Sequence, residues 1–231
     1  MKKLKLFFVF MVAFSFTGTI KAQSCDFFSV SKGTMLGYDN LNKRGKVTSK
    51  SRTTCYDVSK DSNGVITYCL KTEISNAKDV QMASREYKMQ CDEGKFTIDT
   101  ESYADPHAIE GFQELAIDVN NQDVAYPEDL SLGMSLPDAI ITMRASAEGK
   151  SKNTYVIIIT DRKLISNESI TVPVGTFDCY KISYNLEMKS STSSNFEVIE
   201  YIAEGVGKIK TETYNYKGKL TSSSILVELS K

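Results

Sequence analysis

Apolar and polar residues alternate one by one over much of the chain, which is the pattern of a β-strand with one buried face. The pattern is clearest after Phe177, where every second residue is apolar: Tyr180, Ile182, Tyr184, Leu186 and Met188. An earlier segment has an apolar face made of Ile66, Tyr68, Leu70 and Ile74. Both segments therefore predict half-buried strands of a sheet.

Turn residues interrupt this alternation at short intervals. Seven clusters rich in Gly, Asn, Asp, Ser or Lys separate the runs, at Lys43–Lys46, Asp61–Gly64, Asp92–Lys95, Asn120–Asn121, Glu148–Lys150, Ser190–Ser194 and Lys217–Lys219. Short turns between alternating runs are typical of antiparallel meanders. A sheet of roughly ten or more strands must curl or close to protect its edges. We therefore expect a mainly β fold, an antiparallel meander curled into a barrel or half-barrel.

One short helix is also predicted. Asp105 can cap its first turn, and Pro106 suits that turn. Apolar residues then recur at three- and four-residue spacing, at Ala108, Ile109, Phe112, Leu115 and Ala116. We expect this helix to lie across the sheet or near its opening. His107, the only histidine, falls in its first turn.

The N-terminal segment has the pattern of an export signal. Lysines near the start precede an apolar run over Leu6–Phe16, and small or polar residues follow up to Ala22. The apolar run is too short to cross a bilayer. We therefore interpret residues 1–22 as a signal peptide and residues 23–231 as a single β-rich domain, which is periplasmic or on the cell surface.

A lipoprotein signal that ends at Cys25 is the alternative interpretation of this segment. Cys25 lies just after the apolar run, where a lipid-bearing cysteine would stand. The three residues before it, Ala22–Ser24, lack the aliphatic residue that such a signal prefers. This favours the form without a lipid anchor.

Charge and composition narrow the possible functions. Residues 1–22 hold four of the 28 Lys and Arg residues and none of the 29 Asp and Glu residues, so the remaining chain has an acidic excess of five. This disfavours a nucleic-acid partner, which would require a clustered excess of cations. The chain has one His and no Trp. A single histidine excludes most metal sites and most acid–base catalytic sites, so we predict no metal and no cofactor.

The five cysteines predict structural disulfides in an exported protein, with one thiol left over. Cys55 and Cys69 flank a predicted hairpin turn, so we expect them to lie on adjacent strands, on the more polar face, and to form a bridge. Cys25 follows a terminus that would otherwise fray, and Cys91 ends a strand just before a turn. We expect these two to be bridged, which leaves Cys179 as a buried free thiol.

No catalytic constellation is complete in the sequence. Glu128 and Asp129 are neighbours in a loop and point apart. The stretch Asp61–Gly64 begins like a calcium loop, but the position of its distal ligand is Thr72. No serine lies in a Gly-x-Ser-x-Gly elbow. An enzyme would have to work with carboxylates, Tyr or Lys alone, so we predict no catalytic residues.

Aromatic residues are the positive feature: the chain holds 12 Tyr and 11 Phe, several of them on predicted apolar strand faces. Packed fully, they form only a core; packed loosely, they line a cavity for an acyl chain or an apolar peptide. We expect an exported, non-enzymatic binding module, a carrier or chaperone for an apolar ligand or lipid. Tyr180, Tyr184 and Leu186 are the candidate contacts. The alternative is a structural or partner-binding envelope protein without a small-molecule ligand.

Three segments, taken in order, resemble a known family. They are Tyr126–Asp138, Val172–Ile182 and Tyr201–Lys210, and they include a Gly-Thr-Phe and a Gly-Val-Gly sequence. They resemble the TapB-like proteins of Bacteroidota and a related exported bacterial domain family of unknown function, over Cys25–Leu229. The resemblance implies a periplasmic or surface β-rich single domain with no established activity and no catalytic residues to assign.

The third of these segments adds one candidate ligand contact, Tyr201. Relatives often place an aromatic residue where this chain has Ile202, and the departure weakens the case for a binding platform formed by the pair. We also expect Gly205 and Gly207 to permit a bulge or bend in a strand that curves with the sheet.

Overall fold

The computed structural model describes residues 25, 28, 30–92, 95–98, 116–122, 124–126, 130–147, 150–190 and 192–231. Within these ranges the chain forms thirteen β-strands and no α-helix. The predicted signal peptide and His107 lie outside the described residues. So does the predicted helix Asp105–Ala116, except for Ala116, which begins a strand rather than ending a helix.

The strands vary from three to 23 residues in length. In chain order they are β1 Met35–Asn42, β2 Val47–Lys60, β3 Ile66–Asn76, β4 Gln81–Asp92, β5 Lys95–Ile98, β6 Ala116–Gln122, β7 Val124–Tyr126, β8 Ala139–Ala147, β9 Lys150–Val172, β10 Gly175–Lys189, β11 Ser193–Ala203, β12 Gly207–Asn215 and β13 Leu220–Ser230.

All thirteen strands belong to one antiparallel sheet. Two meanders, β8 to β13 and β1 to β5, are joined side by side where the last strand, β13, pairs with the first, β1. β6 and β7 form the two edges of the sheet. The prediction of an antiparallel meander is confirmed. The prediction of a closed barrel is wrong, because no ladder joins β6 to β7 in the described part of the chain. The sheet is at most curled.

Three hairpin turns lie side by side at one end of the sheet, between β1 and β2, β3 and β4, and β12 and β13. Each begins with an asparagine, Asn42, Asn76 or Asn215, whose Oδ1 accepts hydrogen bonds from the backbone N–H groups two and four residues later. The residue three positions after each asparagine has a positive φ. We call the set 43–46, 77–80 and 216–219 the hairpin edge.

The main core lies on one face of the curled sheet, which we call the inner face. Its buried side chains come from both meanders and include Cys55, Leu70, Met89, Ile159, Ile182 and Val198. The predicted apolar faces of β3 and β10 point here: Tyr68, Leu70, Ile182 and Tyr184 are all buried in this core. A second cluster, around Cys179, Tyr201, Ile209 and Leu226, packs near two bulges, where Ile209 is an extra residue of β12 opposite β11 and Val227 is an extra residue of β13 opposite β1.

Candidate functional site

A cavity of about 600 Å³ lies on the inner face of six neighbouring strands, β12, β13 and β1 to β4. This volume is within the range of small-molecule sites. Side chains at one end of the cavity are apolar and include Phe28, Leu36, Leu70, Tyr87, Met89 and Val206. Most side chains at the other end carry hydroxyl groups and include Ser51, Thr53, Thr72, Thr211, Thr213 and Ser224; the buried Ile74, opposite Ser51, is an apolar side chain among them. The cavity is therefore amphipathic along its length.

The register of the strands produces this gradient. β1 presents Leu36 and Tyr38 and then Asn40 on the inner face as it runs toward the hairpin edge. Its neighbour β13 runs the opposite way and presents Ser224 opposite Asn40 and the buried Leu226 opposite Tyr38. The cavity reaches Leu41 and Thr48, which border the first hairpin turn, and Thr48 is exposed. The cavity thus opens at its hydroxyl end.

Phe28 forms part of the wall at the apolar end. Its ring lies against the backbone of Gly207, where an added Cβ would come within 2.6 Å of two ring carbons. It also meets the ring of Tyr126 edge-on, with centroids 5.8 Å apart. A disulfide between Cys25 and Cys91 ties the chain just before Phe28 to β4. The predicted Cys25–Cys91 bridge is confirmed, and it holds this aromatic wall in place.

The position of Gly207 in the fold differs from the one that the sequence predicted. Gly205 and Gly207 both have positive φ angles, but they lie in and just after the turn between β11 and β12, and not inside a bending strand. The bulge itself is nearby, where Tyr201 pairs with Lys210 and Ile202 pairs with Lys208. Gly207 is required both for its backbone conformation and for the close approach of Phe28.

Two cationic side chains, and no carboxylate, are found among the described residues that line the cavity. Arg85 lies beside Thr72 across the β3–β4 ladder, next to the hydroxyl pair Thr53 and Thr72, whose Oγ1 atoms are 2.6 Å apart. Lys208 lies nearer the apolar end, and its carbonyl oxygen accepts a hydrogen bond from Tyr38 Oη at 3.0 Å. Burial is the main cause that raises the pKa of Tyr38, so this phenol stays protonated.

Behind Lys208 lies a fully buried carboxylate, Glu200. Its Oε1 is 3.1 Å from Lys208 Nζ, and its Oε2 accepts a 2.7 Å hydrogen bond from Tyr126 Oη. Arg162, also buried, lies over the Tyr126 ring at 4.8 Å and donates to Pro137 O. Burial opposes ionisation of Glu200, but Lys208, the Tyr126 hydroxyl and Arg162 outweigh it, and the pKa of this carboxyl is lowered.

The four predicted ligand contacts do not line this cavity. Tyr184 is buried in the main core at 7% exposure, and Tyr180 and Leu186 are partly buried against the same core. Tyr201 belongs to the second cluster, where the Lys181 and Lys210 ammonium groups each lie 5.5 Å from its ring centre. The structure thus brings Tyr180, Tyr184 and Leu186 together and leaves Tyr201 apart. A role for the four in binding stays a prediction.

The predicted Cys55–Cys69 bridge is wrong. The two residues lie on adjacent strands as expected, but Tyr56 is an extra residue in β2, so Cys55 pairs with Leu70 and Cys69 pairs with Asp57. The bulge turns Cys55 into the core, where it is 1% exposed, and leaves Cys69 half-buried. Both thiols are free, and so is the buried Cys179, as predicted.

The hydroxyl end of the cavity is the part of the site that sequence reasoning missed. Ser49, Ser51 and Thr53 alternate along β2 and have the appearance of a solvent face. The same polar pattern recurs at Thr211 and Thr213 of β12, which the sheet places across the same cavity. The available signal was the repetition of Ser and Thr at alternate positions on several strands, each next to a hairpin turn.

The described residues offer neither a metal centre nor a membrane-spanning helix. No group of three His, Cys, Asp or Glu side chains within the described ranges is placed to hold a metal ion. No helix in the same part of the chain is long and apolar enough to span a bilayer.

Comparison with protein families gives a match over residues 31–226, and the matching family is described as DUF3108-like. The chain belongs to the DUF3108-like family. The match spans almost all of the described sheet, including every strand of the cavity. The matching family does not carry the TapB-like name, so that resemblance stays a prediction. A search of curated proteins finds no match.

Two solved structures share the fold of this DUF3108-like chain. One is a candidate exported protein of Bacteroides fragilis with a YmcC-like fold; it has a TM-score of 0.76 and 20% identity, over 89% of this chain and 99% of its own. The other is a candidate lipoprotein of Parabacteroides distasonis, also with a TM-score of 0.76, at 24% identity over 90% of this chain and 100% of its own. At these identities the likeness concerns the fold.

Proposed function

We propose that the protein is an exported, non-enzymatic binding module that holds one amphiphile in the cavity on its inner face. The acyl chain lies between the apolar side chains around Leu70 and Met89. The polar head lies among the hydroxyl groups near the hairpin edge. The observation that carries the proposal is the amphipathic lining of a cavity of about 600 Å³.

The charges of the lining indicate the chemical class of the head. Arg85 lies at the hydroxyl end beside Thr72, and no carboxylate is found among the described lining residues. A positive charge next to several hydroxyl groups favours a carboxylate or phosphate head over a neutral or cationic one. The ligand is therefore an anionic amphiphile such as a fatty acid or a single-chain phospholipid.

The same lining supports binding rather than hydrolysis. Its described residues supply hydroxyl groups and two cations, but no carboxylate or imidazole that could act as a general base toward a bound ester. Cys55, the one thiol of the described lining, is buried, and burial is the main cause that raises its pKa. A raised pKa keeps the thiol protonated and weakens it as a nucleophile.

Two observations support export. Residues 1–22 have the composition of a signal peptide, and the two similar structures are described as a candidate exported protein and a candidate lipoprotein. A lipid anchor at Cys25 is disfavoured because its sulfur forms the disulfide with Cys91 and is not available for a thioether. The disulfide also fits an oxidising compartment.

The direct experiment is extraction and mass spectrometry of what copurifies with the folded protein from its native envelope. We expect one anionic amphiphile per chain, retained through gel filtration and absent from a variant with Leu70→Arg that elutes at the same volume as the wild type. Recovery of the folded wild-type protein with no amphiphile would favour the alternative, a structural or partner-binding envelope protein.

A further inference from the structure

The hairpin edge carries a concentration of positive charge. In each turn the asparagine side chain folds back onto the backbone, so the residues that follow it project into solvent. Six basic residues occupy these projecting positions, and all are exposed: Lys43, Arg44, Lys46, Lys78, Lys217 and Lys219. Because the three hairpins are neighbours in the sheet, the six charges form one patch.

Negative charge at the hairpin edge is limited to one residue. Asp79 is the only acid within its three turns, and its Oδ1 is 2.7 Å from the ammonium group of Lys50. Across the described chain, none of the six basic side chains forms an ion pair. The patch therefore has an uncompensated positive charge.

This patch contrasts with the rest of the molecule. Residues 23–231 have an acidic excess of five. At the opposite ends of the same strands, the exposed acids Asp57, Asp61 and Glu204 accompany the exposed lysines Lys32, Lys60 and Lys231, and Lys32 is 3.6 Å from Asp57. Both signs of charge are thus mixed at that end, whereas the hairpin edge carries six basic residues and one acid.

Exposed apolar side chains lie within the patch. Tyr216 is 80% exposed and Val80 is 58% exposed, and both project from the hairpin edge. Lys217 Nζ lies 5.3 Å from the centre of the Tyr216 ring. An aromatic ring flanked by lysines is the combination found where proteins meet the lipid headgroup region, since the ring enters the interface while the ammonium groups bind phosphates.

We propose that the hairpin edge docks on the surface of an anionic lipid bilayer. The six basic side chains contact lipid phosphates, and Tyr216 and Val80 enter the headgroup layer. The occupant is a membrane surface rather than a nucleic acid because exposed apolar side chains stand among the cations. The cavity opens at the same edge, so docking would bring its mouth to the lipid. The inference does not depend on cavity binding.

The test is cosedimentation of the full mature chain with vesicles of phosphatidylcholine alone and of phosphatidylcholine mixed with phosphatidylglycerol. We expect binding only to the mixed vesicles, weakened by salt. A variant with Lys46→Gln, Lys78→Gln and Lys217→Gln removes one charge from each turn. At about fivefold per basic residue near an anionic surface, we expect roughly 100-fold weaker binding.

The matched control carries Lys32→Gln, Lys60→Gln and Lys88→Gln, three exposed lysines away from the hairpin edge. We expect it to bind mixed vesicles as the wild type does. An equal loss in both triple variants would overturn the proposal, because it would reflect net charge alone. Stronger binding to duplex DNA than to the mixed vesicles would also overturn it.

A second pair of variants tests the apolar contacts. Tyr216→Ala should lower binding to mixed vesicles severalfold at high salt, where charge contributes least. Leu132→Ala removes a side chain that is 65% exposed outside the hairpin edge and should have no effect. If Tyr216→Ala and the triple variant of the hairpin edge both bind the mixed vesicles as tightly as the wild type does, the inference is overturned. Failure of the cavity to bind an amphiphile, with vesicle binding intact, would refute the proposed function and leave this inference standing.

Discussion

Tyr126 Oη donates a 2.7 Å hydrogen bond to Glu200 Oε2 and so joins β7, an edge strand, to β11 in the middle of the other meander. The two residues are 74 positions apart in the chain. Arg162 of β9 lies over the same tyrosine ring. This contact ties one edge of the sheet across its inner face, so the curl is held by a buried polar network as well as by the core.

Replacing Glu200 by Gln should destabilise the fold by roughly 3 kcal/mol at neutral pH, because it removes the carboxylate that balances Lys208 and Arg162 in a buried site. Glutamine keeps an acceptor for Tyr126. The pKa of Glu200 is below its ordinary value of 4.5 in the fold, so its contribution is present above that value and is lost as the pH falls through the folded pKa.

The measurement is chemical denaturation of wild type and Glu200→Gln from neutral to acidic pH. We expect the gap in unfolding free energy to be largest near neutral pH and to shrink in acid. Glu228→Gln, at the surface ion pair with Arg52, is the control and should cost less than about 1 kcal/mol. A gap that widens as the pH falls would contradict the account.

The three free thiols should differ in reactivity. Burial raises the pKa of Cys179 to about 11, and burial also raises the pKa of Cys55. Cys69 is the only one of the three that is not buried. Alkylation of the folded protein at mildly alkaline pH, followed by peptide mapping, should therefore modify Cys69 first and the other two only after unfolding. Protection of both Cys55 and Cys69 until reduction would instead indicate a bridge between them.

Gly207→Ala should destabilise the protein by about 3 kcal/mol, since the new Cβ would collide with the Phe28 ring in a backbone conformation that disfavours side chains. Gly218→Ala also stands at a positive φ but meets open space, and it should cost only about 1 kcal/mol. A double-mutant cycle with Phe28→Ala checks the cause. The cost of Gly207→Ala should fall in that background, and an unchanged cost would show that Phe28 does not pack there.

Arg85→Gln should change the head-group preference of the cavity more than its affinity for acyl chains. Removing one charge-assisted contact costs about 1.5–3 kcal/mol, so palmitate should bind roughly tenfold or more weakly. Hexadecanol, which has the same chain length without the charge, should bind nearly as before. Isothermal titration with both ligands compares the two effects. Equal losses for both would mean that Arg85 acts on the fold and not on the head group.

Local alternation was sufficient to predict β3 and β10, because a half-buried strand leaves a period of two in the sequence. The turn expected at Asn120–Asn121 was wrong, since both residues lie inside β6. The Cys25–Cys91 bridge followed from the need to hold a terminus near a strand end. The prediction of a Cys55–Cys69 bridge failed because Tyr56 is a single extra residue in β2, which places Cys55 and Cys69 on opposite faces of the sheet. Nothing in the sequence marks a bulge at this position. The close contact of Gly207 with Phe28 could not be predicted either, because the two residues are far apart in the sequence.

The cavity could not be predicted for a different reason. Ser51 and Thr53 alternate with charged or polar residues, so neither face of that half of β2 has the appearance of a core. Only the pairing of β13 with β1 brings Thr211, Thr213 and Ser224 to the same cavity. That pairing joins two strands from opposite ends of the sequence and has no local signal. Aromatic content therefore directed attention to Tyr184, which is buried in the neighbouring core.

Titration of palmitate into a cavity-filling variant tests whether an amphiphile occupies the cavity. Ser51→Phe places a ring inside the cavity, whereas Ser84→Phe places the same ring on an exposed position of β4. Both variants are first shown to unfold cooperatively. We predict one palmitate per chain for wild type and Ser84→Phe, and binding weakened at least tenfold in Ser51→Phe. Equal palmitate binding by all three proteins would show that the ligand does not occupy this cavity.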